Sequence, residues 1–131
     1  MSISVGMVTV VVPSYGAGLD FFVRGLGLAL LKDTDLGGGK RWVVVGGAGG
    51  ARLLLAEATT PEQRAAIGNQ AGGRVGFFVM TDDFAADHAR LTAAGVRFLE
   101  PPRYESYGTV AVFADPFGNT WDLIQPTETS A

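Results

Sequence analysis

The chain has 131 residues, 47% of them hydrophobic and 18% charged, with a net charge of −3 and no cysteine. This length and composition predict one globular domain with its own core and exclude a disordered chain. The absence of a basic stripe argues against a nucleic-acid partner, and the absence of cysteine excludes disulfides and thiolate chemistry. We therefore expect a cytoplasmic protein, and no apolar run is long enough to predict a membrane span.

The first half of the chain is predicted to form a strand, a helix and three more strands. "VGMVTVVVP" is rich in β-branched residues and predicts a strand that ends at Pro13, with no charged leader typical of a signal peptide. Apolar residues at helical spacing in "GAGLDFFVRGL" predict a helix capped by Ser14. "LALLKD", "RWVVVG" and "ARLLLAEA" predict three strands separated by glycine-rich turns.

The second half repeats this order after a linker. "TPEQRAAIG" predicts a short linker helix, because Thr60, Pro61 and Gln63 form a capping-box signature. "RVGFFVM" predicts a strand, and "DDFAADHARLTAAG" predicts a helix capped by Asp82 or Asp83. "VRFLEP", "GTVAVFAD" and "NTWDLIQP" predict the last three strands.

Glycine spacing supports an internal duplication. Gly27 and Gly95 each follow a helix, Gly50 and Gly118 each precede the last strand of their half, and the members of each pair are 68 residues apart. Each half alone would leave one sheet face uncovered, so the two are expected to pair. We predict a single α+β domain over residues 1–131. It comprises a first βαβββ module at 1–58, a linker helix at 59–72 and a second βαβββ module at 73–126, which together form an eight-stranded, open, cup-like sheet with helices outside.

Strand alternation separates a wholly apolar face from a mixed face. The apolar face, expected to pack under the helices, comprises Val8, Val10, Val12, Leu53, Leu55, Val75, Phe77, Val79, Trp121 and Leu123. The mixed face comprises Met7, Thr9, Val11, Arg52, Leu54, Ala56, Arg74, Gly76, Phe78, Thr120, Asp122 and Ile124. The mixed face indicates a ligand cavity on the concave side, or alternatively a solvated face or a dimer interface.

Two long segments resemble a known family. "VVVPSYGAGLDFFVRGLGLALL" and "GVRFLEPP…VAVFADPFGNTWDLIQ" are similar to the vicinal oxygen chelate superfamily of glyoxalase I, fosfomycin and bleomycin resistance proteins and extradiol dioxygenases. "DPFGNTWDL" is similar to the D-P-x-G-x-x-x-E ending of the family's final strand. The resemblance covers essentially the whole chain and implies the fold and a homodimer. It does not imply one chemistry, because members range from lyases to binding proteins without catalysis.

The resemblance also implies a divalent metal held by inward residues at four positions. In this sequence these positions fall on Met7, Leu54, Arg74 and Asp122. Only the aspartate suits such an ion, because methionine is a soft ligand, leucine has no donor atom and arginine is a permanent cation. The only histidine, His88, is predicted on the apolar side of the second helix as a hydrogen-bonded packing residue. We therefore expect no metal and no other cofactor.

Asp122 and Arg74 are expected on neighbouring strands of the concave face, where they would form an ion pair. Three interpretations stay open: a structural pair, a pair in which the guanidinium binds an anionic or carbonyl ligand, and Asp122 as a general base. A base would need a raised pKa, whereas an adjacent arginine lowers it. The placement of Arg74 assumes a fifth strand without a bulge.

The predicted function is metal-free binding of a small, partly apolar molecule in the cup. One alternative is a lyase, isomerase or dioxygenase of the superfamily with metal-dependent or Asp122-based chemistry, so catalysis stays open. Another is a structural or regulatory protein without a small ligand. The tyrosines of "PPRYESYGTV" are expected to rim the cavity. The candidate ligand-binding residues are Met7, Thr9, Trp42, Arg52, Leu54, Arg74, Phe78, Tyr104, Tyr107 and Asp122.

Overall fold

The structure, a computed structural model, describes residues 2–127. The chain divides after Ile67 into two compact units, each an α+β module with one sheet. The predicted fold class, α+β, is confirmed. Met1 and residues 128–131 lie outside the described residues, and the single-domain organisation over 1–131 stays a prediction. Within residues 2–127, no helix is long and apolar enough to cross a membrane.

The first module has four strands and two short helices. Its elements are β1 (Met7–Val12), α1 (Tyr15–Leu19) with a π-helical continuation (Asp20–Gly25), β2 (Ala29–Gly37), β3 (Lys40–Gly46), β4 (Arg52–Glu57) and α2 (Pro61–Ala66). The sheet order is β1-β4-β3-β2; β1 is parallel to β4, and the other pairs are antiparallel. The predicted linker helix is therefore present as α2.

Both helix starts of this module follow the predicted capping chemistry. The Ser14 hydroxyl accepts a hydrogen bond from the Ala17 N–H at 3.1 Å, and the Thr60 hydroxyl accepts one from the Gln63 N–H at 3.1 Å. The Gln63 side chain accepts in turn from the N–H of Thr59 at 2.7 Å, one residue earlier than in a standard capping box. These bonds satisfy N–H groups that the first helical turn leaves without partners.

The core of the first module lies between α1 and the sheet. A Cβ added at Gly18 would lie 3.1 Å from Leu55 Cδ1 and 3.2 Å from Val12 Cγ1, so the helix approaches β1 and β4 closely at this glycine. Val10, Val12 and Leu55 are buried as predicted for the apolar face, whereas Val8 is 41% exposed. In contrast, every residue of β2, at the sheet edge, is exposed.

The second module has one strand more than predicted. Its elements are β5 (Val75–Met80), α3 (Phe84–Ala93), β6 (Arg97–Phe98), β7 (Arg103–Glu105), β8 (Gly108–Ala114) and β9 (Thr120–Pro126). The order is β5-β9-β8-β6, with β7 also paired to β8, and β5 is parallel to β9. The additional strand is β7, which lies in the predicted connection between the sixth and seventh strands. Pro101 and Pro102, which cannot donate to a sheet, separate it from β6.

A run of aromatic rings in contact lies in the core of the second module. Consecutive members have ring centroids 4.1–5.9 Å apart, a range typical of aromatic contacts. The run is Phe84, His88, Phe98, Phe113, Trp121 and Phe77. The side chain of Asp83 caps α3 by accepting a hydrogen bond from the Ala86 N–H at 3.2 Å. Of the two predicted caps, Asp82 and Asp83, the structure therefore uses Asp83.

The duplication is visible in the backbone of each module. Gly27 and Gly95 have φ angles of 88° and 90°, and Gly50 and Gly118 have 80° and 117°. All four occupy conformations that favour glycine, so the spaced glycines mark equivalent turns.

Candidate functional site

A cleft of about 630 Å³ lies within the first module. Apolar side chains of three strands form its floor: Val11, Trp42, Leu54 and Ala56. Polar side chains stand around them: Thr9, Lys40, Glu57, Thr59 and Gln63. The structure thus brings together three predicted ligand-binding residues, Thr9, Trp42 and Leu54.

Strand register explains why these side chains meet. β1 and β4 run parallel with Thr9 beside Leu54 and Val11 beside Ala56. Val44 of β3 pairs with Leu54, and Trp42 and Lys40 follow at alternate positions of the same strand. Because alternate residues share a face, these side chains reach the cleft from one side of the sheet. The intervening residues Arg41, Leu55 and Glu57 also contribute to its lining.

Tyr15 holds one wall of the cleft in place, and the sequence analysis did not identify it. Its hydroxyl accepts from the Arg41 N–H at 3.0 Å and donates to the Arg41 carbonyl at 3.3 Å. Its own N–H donates to Glu57 Oε2 at 3.1 Å. One feature of the sequence could have indicated this role: Tyr15 directly follows the helix cap Ser14, at the point where β1, α1 and the end of β4 meet.

The Arg41 guanidinium is committed to neighbouring side chains. It lies 4.9 Å from the centre of the Tyr15 ring, and it donates to the Asp33 carboxylate at 3.0 and 2.5 Å. This hydrogen bonding lowers the pKa of Asp33 from its usual value. Arg41 therefore braces the wall of the cleft.

Met7 is the first residue of β1, and Arg52 is the first residue of β4. They are register partners in β1 and β4, two residues before Thr9 and Leu54. Neither lines the cleft, although both precede cleft residues on the same strand faces. A ligand-binding role for them stays a prediction.

Asp122 occupies the predicted mixed face of the second module. It pairs in register with Phe78 of β5 and Val112 of β8, and Phe78 is 60% exposed. Asp122 is half-buried, and its Oδ1 atom is buried without a hydrogen-bond partner among residues 2–127. Burial raises the pKa of its carboxyl group, Glu100 adds to the increase, and Arg103 opposes it.

The predicted ion pair between Arg74 and Asp122 is wrong. Arg74 precedes β5 and is exposed, and it forms no ion pair within the described chain. The strand register explains this, because Asp122 pairs with Phe78, four residues after Arg74. A bulge at Gly76, where Val75 pairs with Thr120 while Phe77 already pairs with Trp121, also breaks the predicted alternation of faces. Arg74 therefore does not lower the pKa of Asp122, which is raised. A ligand role for Arg74 stays a prediction.

Arg103 is the arginine that influences Asp122, and it is held by its own partners. Its guanidinium contacts Glu100 at 2.9 Å and Glu105 at 3.2 Å, and it also hydrogen-bonds with Tyr107. These bonds raise the pKa of Arg103 and lower that of Glu100.

The two loop tyrosines lie on and beside β7. Tyr104 pairs in register with Thr109 and is 82% exposed, whereas Tyr107 is at the turn into β8 and bonds with Arg103. Their predicted contact with a ligand stays a prediction.

The residues at the family's metal positions do not fit a divalent ion. Met7, Leu54, Arg74 and Asp122 supply one hard donor group among them. Within residues 2–127, no group of three or more His, Cys, Asp or Glu side chains is placed to hold a metal ion. The donor chemistry therefore disagrees with the metal that the family implies.

His88 is a packing residue, as predicted, because its ring lies 5.5 Å from Phe84 and 4.1 Å from Phe98. Its Nε2 atom, however, is buried with no partner among the described residues. The predicted hydrogen bonding is therefore wrong for this atom.

Comparisons with known proteins agree with this architecture. Residues 4–123 match the model of the Glyoxalase/Bleomycin resistance protein/Dioxygenase superfamily. An uncharacterized protein of Shewanella frigidimarina (strain NCIMB 400) is 48% identical over 128 residues, which are 95% of this chain and 95% of that protein.

Solved structures give the same result. UcmS2 superposes with a TM-score of 0.80 at 27% identity, over 95% of this chain and 98% of UcmS2. TnmS3, an antibiotic binding protein from Streptomyces sp. CB03234, has a TM-score of 0.77 at 34% identity, over 97% of this chain and 99% of TnmS3. A glyoxalase/bleomycin resistance protein from the same Streptomyces has a TM-score of 0.72 at 32% identity, over 93% of this chain and 100% of that protein. The predicted resemblance is confirmed: this chain belongs to the glyoxalase/bleomycin resistance protein/dioxygenase superfamily.

Proposed function

We propose that the chain binds a small, partly apolar molecule in the cleft of the first module. The observation that carries the proposal is the cleft itself, with its apolar floor, its few polar groups and its volume of about 630 Å³. Small-molecule sites in proteins have this character and volumes of about 300–1,000 Å³. Trp42 offers a ring on which a flat or apolar compound can pack.

A relative supports a binding function over a purely structural one. TnmS3 is an antibiotic binding protein, and it is 34% identical to this chain over nearly the full length of both. Family membership alone does not fix an activity, so this likeness adds weight to the cleft and does not replace it.

We further propose that binding needs no metal. The support is chemical: the family's metal positions carry a thioether, an aliphatic chain, a guanidinium and only one carboxylate. The predicted homodimer and cytoplasmic location also remain part of the proposal, and sedimentation of the purified protein tests the dimer.

A thermal-shift screen of apolar and aromatic compounds, run with and without a chelator, tests the proposal. A compound that binds only the folded state raises the unfolding temperature. We expect hits that persist with chelator and that Leu54→Gln abolishes, whereas Leu36→Gln leaves them unchanged. Leu36 is a matched control because it is an exposed leucine of β2 outside the cleft. A broad panel without hits would favour the structural or regulatory alternative.

A second candidate function, acid–base chemistry at Asp122, is favoured by one observation. Its carboxyl has a raised pKa and a buried oxygen without a partner, and active-site acids and bases often have perturbed pKa values. Each hit from the screen can be incubated with the protein and analysed by mass spectrometry. Turnover by the parent that Asp122→Asn abolishes would establish an enzyme, and unchanged compounds would support binding alone.

A further inference from the structure

The unused hydrogen-bonding groups of the first-module cleft indicate which ligands suit it, and this inference rests on the function proposed above. Two acceptor atoms at the cleft are already engaged within the protein. Glu57 Oε2 accepts from the Tyr15 N–H at 3.1 Å. Gln63 Oε1 accepts from both the N–H and the hydroxyl of Thr59, at 2.7 and 3.0 Å.

Three hydrogen-bond donors around the cleft have no acceptor within the described protein. Within residues 2–127, the Trp42 indole N–H, the Gln63 amide N–H groups and the Lys40 ammonium donate to no protein group. Arg41 is different, because Asp33 holds its guanidinium on two sides. The cleft therefore offers donors that only solvent or a ligand can use.

Lys40 supplies a positive charge that forms no ion pair among the described residues. It is exposed and follows three glycines with positive φ, Gly37 to Gly39, around which an added Cβ would meet no atom within 4 Å. Glu57, the acid of the cleft, interacts electrostatically with Arg41. The ammonium of Lys40 has no carboxylate in contact among the described residues.

Trp42 places an aromatic surface on the same strand face as this charge. Lys40 and Trp42 are two residues apart in β3, so their side chains leave the strand on one face. An ammonium group beside an indole ring matches a molecule with an apolar or aromatic body and an anionic oxygen group.

We propose that the cleft selects aromatic or apolar carboxylates, and related oxyanions, through the Lys40 ammonium with the ring body packed on Trp42. In this proposal Lys40, and not Arg74 as predicted from the sequence, is the cation that recognises a polar group of the ligand. It also predicts rejection of cationic molecules of the same shape, because like charges repel.

Three probes with one ring system test the inference on the full chain: 2-naphthoate, 2-naphthalenemethanol and 2-naphthylmethylamine. Affinities are read from the indole N–H signal of Trp42 in NMR titrations, assigned with Trp42→Phe. We expect naphthoate to bind about fivefold more tightly than the alcohol, in the range of exposed ion pairs, and the amine to bind most weakly. The preference for naphthoate should shrink as salt rises.

Lysine variants separate charge recognition from general binding. Lys40→Gln should remove the preference for naphthoate, so that the affinities of this variant for naphthoate and for the alcohol agree within about twofold. Lys32→Gln is the matched control, because the chain has two lysines and Lys32 lies on β2 outside the cleft. Lys40→Glu should reverse the order in favour of the amine.

Two kinds of result would contradict the proposed ligand preference, and they differ in what they imply for the proposed binding function. Equal affinities for the three probes, or a naphthoate preference that survives Lys40→Gln, would overturn the inference and leave the proposed binding function intact. If no probe shifts the Trp42 signal at millimolar concentration, both the inference and the proposed use of this cleft are wrong.

Discussion

Asp115 Oδ2 accepts a hydrogen bond from the indole N–H of Trp121 at 2.9 Å. Its other oxygen, Oδ1, accepts from the N–H groups of Phe117, Gly118 and Asn119 at 2.9–3.0 Å. Asp115 is only 4% exposed, so this carboxylate takes up four donors in a buried turn. The "DPFGNTW" segment therefore has a structural role: it fixes the turn before β9 and positions the strand that carries Asp122.

We predict that Asp115→Ala lowers the free energy of unfolding by about 3 kcal/mol, because it leaves buried donors unsatisfied. Urea unfolding followed by circular dichroism measures the loss. Asp115→Asn is the matched control, since its amide oxygen can still accept from the backbone while its NH₂ opposes the indole N–H. The asparagine variant should fall between the parent and alanine variants, and an alanine variant as stable as the parent would contradict this role.

Close backbone contact at Gly68 gives a second prediction. A Cβ there would lie only 1.9 Å from the Phe117 carbonyl oxygen, and φ is +70°. Gly72 has nearly the same φ, +64°, but open space around it. Gly72→Ala should therefore cost about 1–2 kcal/mol for the left-handed backbone alone, and Gly68→Ala clearly more. Equal losses in urea unfolding would show that the contact does not matter.

Asp122 predicts a dependence of stability on pH. Its pKa is higher in the folded state than its usual value, so its protonated form favours folding. That contribution is fully present below the unfolded-state pKa and is lost as pH rises through the folded-state pKa. Asp122→Asn, which mimics the protonated group, should thus become more stable than the parent as pH rises from about 3 to 7.

Thermal unfolding of parent and variant across this pH range measures the Asp122 effect. Asp82→Asn serves as the control, because Asp82 is an exposed aspartate of the same module. A stability difference for Asp122→Asn that stays constant with pH would contradict the raised pKa.

Substitution of His88 is predicted to raise the free energy of unfolding, whereas most core substitutions lower it. Its ring packs between Phe84 and Phe98 while Nε2 is buried without a partner among residues 2–127. His88→Phe keeps an aromatic ring and removes the unsatisfied nitrogen, so we expect a gain of about 1 kcal/mol in unfolding free energy. His88→Leu tests the same point with a smaller side chain. A loss of stability in both variants would indicate that the imidazole has an unrecognised role.

Local chemistry made much of the fold predictable. The caps at Ser14, Thr60 and Asp83 formed as predicted because each satisfies helix N–H groups through its own side chain. The equivalent glycines Gly27 and Gly95 were predictable because their backbone conformation excludes most other residues.

Features that depend on contacts distant in the sequence were not predictable. The register of β5 against β9 sets Phe78, and not Arg74, beside Asp122, and the bulge at Gly76 also breaks the alternation from which the face of Arg74 was predicted. Tyr15 could not be assigned to the cleft, since its partner Arg41 is 26 residues away. Strand alternation alone predicted that Thr9 and Leu54 share one face, whereas the face of Trp42 was ambiguous from the sequence; all three line the cleft.

The most direct test of the central claim is an NMR map of a bound compound on the isotope-labelled full chain, using a hit from the thermal-shift screen. We predict that the largest shifts occur at Thr9, Leu54 and the Trp42 indole N–H, with the Trp121 indole signal unchanged. Shifts confined to residues outside the first-module cleft, or saturable binding that leaves the Trp42 signal unmoved, would contradict it.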